Sequence, residues 1–102
     1  MSYIEDSIAV FSKDAQAIFD EYACIYQEKE ALYLQGTSFL KTRVQNSLAE
    51  MLKHQLRTKM GQQLALCRKL APDEYALLRT EIQKELDTFL IKFRHLDYNK
   101  NN

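Results

Sequence analysis

The sequence predicts an all-α protein of three long helices, folded as an antiparallel hairpin or bundle with coiled-coil-like packing. Three observations carry this expectation. Only two Gly and one Pro occur in 102 residues, too little turn-forming material for a multi-stranded sheet. Valine is found only at Val10 and Val44, so the β-branched character of strands is thin. Apolar residues instead recur at helical spacing through long stretches.

Two breakers divide the chain. Gly36 suits the end of a first helix, because glycine adopts the left-handed backbone at little cost. Thr37 and Ser38 behind it offer a hydroxyl cap to a second. Pro72, followed by Asp73 and Glu74, suits the first turn of a third, where a missing N–H costs nothing and acids meet the positive end of the dipole. The expected helices cover about residues 3–35, 38–70 and 73–97 of a single domain, with residues 98–102 as a fraying tail.

In the first segment Ile4, Ile8, Phe11, Ala15, Ile18, Phe19, Tyr22, Ile25, Tyr26, Leu32 and Tyr33 fall within an arc of about 140°. Most acids lie outside it, and Ser2 with Glu5 has the spacing of a capping box. Lys29 intrudes near the end, where its stem can reach water. In the third segment Tyr75, Ile82, Phe89 and Leu96 recur every seven residues, close to a coiled-coil seam.

The second segment differs. Leu40, Val44, Leu48, Leu52, Leu56, Met60 and Leu64 recur every four residues. Each such step advances about 40°, so the row winds around the helix. The helix must therefore change neighbour along its length or bend near Met60–Gly61. Either way it touches more than one partner and belongs at the centre of the fold. Three such rods make a narrow bundle with much exposed flank, which a second copy would cover.

Charge is partitioned by segment although the whole chain is neutral. Residues 1–36 hold seven acids and two bases, residues 37–71 seven bases and only Glu50, and residues 72–102 six acids and five bases. If the first two segments fold back on each other, opposite charges lie side by side. Arg43, Lys53, His54, Arg57 and Arg68 share one side of the second helix, a pattern that also suits phosphate tracking. Against that use stand the neutral total, Glu50 inside the stripe and the absence of interleaved aromatics.

Cys24 and Cys67 are too few and too far apart in sequence for a disulfide framework or a local zinc motif. Cys24 falls away from the apolar arc and Cys67 within apolar neighbours. His54 and His95, in a hairpin turning near residue 71, differ by about 9 Å along the axis and read as surface histidines rather than metal ligands. Tyr22, Tyr26, Tyr33 and Tyr75 lie on apolar faces, as core-edge residues. No nucleophile elbow, phosphate loop, zinc-protease motif or dinucleotide fingerprint occurs, and no run reaches the ~18 apolar residues of a membrane span. The expectation is a cytoplasmic non-enzyme with no cofactor, metal, membrane or small-molecule substrate.

The functional expectation is a small helical protein-interaction module, an adaptor, chaperone or regulator of a partner protein, that is itself oligomeric. Leu77, Ile91 and Tyr98 form a sparse second apolar face on the third helix and are the expected partner-binding residues, with Lys53 and Arg57 as charge guides. The alternative is a nucleic-acid-binding regulator using Arg43, Lys53, Arg57, Lys59 and Arg68.

Overall fold

The computed structural model describes residues 3–28 and 38–96, the side chains of residues 38–41 excepted. The expectations placed on Ser2, Lys29, Leu32, Tyr33, Gly36, the Leu40 side chain, Tyr98 and the tail lie outside these residues. Three helices are formed among them: α1 (Tyr3–Glu28), α2 (Ser38–Leu70) and α3 (Tyr75–Arg94). Each packs against both others, giving an all-α bundle with extents of 53 × 23 × 16 Å.

Helix directions follow from specific contacts. Gln45 near the start of α2 donates to the Phe93 and Arg94 carbonyls at the end of α3, whereas Arg68 near the end of α2 meets Tyr75 at the start of α3. These two helices are antiparallel. Ser12 of α1 bonds Glu85 of α3, and further along both chains Phe19 meets Phe89 and Tyr26 meets Phe93. Helices α1 and α3 are parallel, and α2 runs against both.

The core is what the spacing of apolar residues dictates. Phe11, Ala15, Phe19, Tyr22 and Tyr26 are buried on α1, and Leu78, Ile82, Leu86, Phe89 and Phe93 on α3. On α2 the four-residue row is buried from Leu48 through Leu52, Leu56, Met60 and Leu64, and Cys67 continues it after a three-residue step. A winding row stays buried because α2 has a neighbour on either side. Helix α2 is continuous through Met60–Gly61 and packs against both α1 and α3, so the winding row meets more than one neighbour. Ala49 is 1% exposed, a small side chain that lets backbones approach. Each fully buried Leu or Phe contributes about 1.5–3 kcal/mol by leaving water.

The junction before α3 is short yet reverses the chain. Pro72 disfavours helical geometry at the preceding residue, and Ala71 takes φ −151° and ψ 63°. A 3-10 turn over Pro72–Glu74 follows, closed by the Glu74 amide donating to the Ala71 carbonyl at 2.9 Å. The third α-helix therefore starts at Tyr75 rather than at residue 73. It ends where the His95 amide is shared between the Ile91 and Lys92 carbonyls and the Leu96 amide turns to Phe93, the tightening common in last turns.

Candidate partner-binding face

Leu77 and Ile91 are exposed on α3, at 55% and 58%, as their positions on the helix imply. They do not form a patch. Fourteen residues separate them, about 21 Å along the axis, and Thr80, Lys84 and Thr88 lie between. The Thr80 and Thr88 hydroxyls donate to the Ala76 and Lys84 carbonyls, and Lys84 pairs with Glu81 at 3.3 Å. The shallow groove on this surface is lined by Arg79, Thr80, Gln83, Lys84 and Asp87, all polar. Tyr98, the third member of the expected face, lies outside the described residues.

The cations of α2 are divided among environments. Arg43 and Arg57 are exposed, while Lys53 and Lys59 are half-buried. Arg68 is committed to the turn: its guanidinium lies 4.5 Å from the Tyr75 ring centre and donates to the Tyr75 hydroxyl. Among the described residues Lys53, Arg57 and Lys59 form no ion pair. The acidic helix does lie beside the basic one, but several of its acids bond along their own helix, Asp20 with Gln16 and Glu28 with Cys24. Among the described residues, Lys53, Arg57 and Lys59 therefore supply no ladder of ion pairs between α1 and α2.

The apolar surface that sequence reasoning missed lies between α1 and α2. Val10, Met51, Leu66 and Leu70 are 47%, 50%, 47% and 68% exposed. Val10, Leu66 and Leu70 line one groove with Tyr3, Asp6, Ser7 and Gln63, about 370 Å³ in volume. Met51 lines a second, about 310 Å³, with Tyr22, Glu50, His54 and Gln55. The two grooves fall in one register: from Val10 to Tyr22 along α1 is twelve residues, and from Gln63 back to Met51 along α2 is also twelve. They are thus two parts of a single furrow between antiparallel helices. A sequence signal existed, since these residues are the apolar ones left over when the core rows are assigned. They span two helices, so no single helical wheel collects them.

The remaining chemical groups stand apart. Cys24 is exposed, and its thiol donates to Glu28 at 3.4 Å. That hydrogen bond, the carboxylate charge and a small loss of hydration raise its pKa above an ordinary thiol's, so it is a weak nucleophile at neutral pH. Burial, with a contribution from Glu74, raises that of Cys67, whose Sγ donates to the Ala71 carbonyl. His54 and His95 are both exposed. Among the described residues no three His, Cys, Asp or Glu side chains gather closely enough to hold a metal ion. Also among them, no helix is long and apolar enough to cross a membrane.

Comparisons of the chain with protein-family models, with curated proteins and with solved structures find no match.

Proposed function

We propose that the chain is a non-catalytic helical module that works by protein contact, as an adaptor, chaperone or regulator, and that its contact surface is the α1–α2 furrow. The observation that carries this reading is the concentration of exposed Val10, Met51, Leu66 and Leu70 along that one furrow. A furrow between two helices accepts the apolar stripe of a third, with anchors every third or fourth residue. The α1 bank carries the acids Asp6 and Asp14, and the α2 bank carries Lys59 together with Glu50, charges that bear on how a partner is oriented. Leu77 and Ile91 lie on α3, off this furrow, and each stands alone among polar neighbours.

Nucleic-acid binding is the second reading, favoured by the absence of ion-pair partners for Lys53, Arg57 and Lys59 among the described residues. It draws less support, because Lys53 and Lys59 are half-buried, Glu50 stands among the cations and Arg68 is engaged by Tyr75.

The test is a photo-crosslinking side chain placed at Leu66 and, separately, at Leu77 in cells expressing the chain. A discrete protein adduct from position 66 and none from 77 is the expected outcome. Adducts from 77 alone, or none from either, contradict it. Retention on heparin that falls steeply with salt, together with a shift of random duplex, would move the assignment to nucleic acid.

A further inference from the structure

We infer that the furrow's occupant is a second copy of this chain, docked about a two-fold axis that runs along the furrow. The inference deepens the reading above and rests on the furrow being a contact face. Its first ground is charge. Among residues 3–28, α1 carries six acids and one lysine, whereas α2 carries seven bases and one acid. Rotation about an axis along the furrow lays α1 of one copy across α2 of the other, and does so twice. The net negative helix then lies against the net positive one at both contacts, with Asp14 and Lys59 the charges nearest the middle of the furrow; Arg68 is held by Tyr75 and Glu50 is an acid on the α2 bank. Rotation about the axis across the furrow would lay α1 on α1 and α2 on α2, acid on acid and base on base. The surface is complementary to itself in one orientation only.

The second ground is register. The grooves place Tyr3, Ser7 and Val10 with Leu70, Leu66 and Gln63. Four residues on from Val10 is Asp14, and four back from Gln63 is Lys59; both are half-buried, and helical spacing sets them between the two grooves on opposite banks. In the two-fold arrangement two Asp14 and two Lys59 meet at the centre with signs alternating around a ring. On one side of that ring lie the Val10, Leu66 and Leu70 clusters of both copies, and on the other their Met51 side chains. Apolar anchors give affinity and the central charges fix register.

The third ground is size. Helix α1 has 26 residues, about 39 Å in length, and two helices abreast span about 20 Å. An outline of about 39 by 20 Å has room for the ~800 Å² per partner that a standard stable interface buries.

Sedimentation equilibrium of the full chain at 1–100 µM in 50 mM salt tests this. The wild type is expected to be a dimer that weakens as salt rises. Leu66→Glu weakens dimerisation more than about tenfold, and Leu77→Glu leaves it unchanged. Asp14→Lys and Lys59→Asp each weaken it, and the double exchange restores it. Circular dichroism of each variant confirms that the helices are retained. A wild type that stays monomeric at 100 µM overturns the inference, as does a dimer that yields to Leu77→Glu and not to Leu66→Glu. A monomer that still gives a larger adduct from position 66 in cells leaves the furrow as a contact face and removes only the second copy.

Discussion

The guanidinium of Arg68 sits 4.5 Å from the centre of the Tyr75 ring, and its Nη2 donates to the Tyr75 hydroxyl at 3.2 Å. One residue closes α2 and the other opens α3, so the pair clasps the chain reversal at Pro72. Both are at least partly exposed, and such a clasp contributes about 0.5–1 kcal/mol. Arg68→Ala should lower stability by about that amount, and Tyr75→Phe by less, because it keeps the ring. Urea unfolding of the two variants checks the order. A loss above about 2 kcal/mol for Arg68→Ala would mean that the turn depends on something else.

Gly61 lies in the middle of α2, exposed, and a Cβ built there meets nothing within 4 Å. Glycine in a helix interior costs about 1 kcal/mol relative to alanine. Gly61→Ala should therefore stabilise the protein by about 1 kcal/mol, raising the melting temperature by roughly 4–8 °C. A fall in melting temperature would indicate that α2 bends at this point.

Core and furrow leucines separate by burial. Leu52 and Leu56 are fully buried, and replacing either by alanine should cost about 2–5 kcal/mol. Leu70→Ala, at 68% exposure, should change folding stability by less than about 0.5 kcal/mol when measured at low micromolar concentration. Equal losses at Leu52 and Leu70 would place Leu70 in the core instead.

The thiols differ in access, and both have raised pKa values. Cys24 is exposed with a pKa raised by Glu28, and Cys67 is enclosed with a pKa raised mainly by burial. A raised pKa means less thiolate at a given pH, so Cys24 should react with a disulfide reagent at pH 8 more slowly than a free thiol does. Glu28→Gln removes the carboxylate charge and should speed it up. Cys67 should react only after unfolding. A Cys24 rate unaffected by Glu28→Gln would count against the hydrogen bond.

Much of the fold was legible because its signals are local. The four-residue row of α2 already required two neighbours, and α1 and α3 supply them. The seven-residue recurrence of Tyr75, Ile82 and Phe89 marks the inward side of α3, although Tyr75 lies at its half-exposed edge. The starting point of α3 was less legible, since Pro72 fixes that a helix begins nearby but not that its first turn is 3-10. The candidate face was harder still. Leu77 and Ile91 stood out on a single wheel and turn out to be about 21 Å apart. Val10 and Leu66 are far apart in sequence and become neighbours only once α1 and α2 are set antiparallel in a particular register. Opposite net signs on α1 and α2 do lie side by side, as the segment charges implied, but the sequence could not say whether individual charges pair: among the described residues Lys53, Arg57 and Lys59 form no ion pair.

The α1–α2 furrow is the surface through which two copies of the chain are inferred to meet. Amide and methyl NMR spectra of the isotopically labelled chain, diluted from 500 to 5 µM, test it most directly. Resonances of Val10, Met51, Leu66 and Leu70 should shift together with a common midpoint while those of Leu77 and Ile91 stay fixed. Shifts confined to Leu77 and Ile91, or spectra that do not change with concentration, would contradict self-association through this furrow.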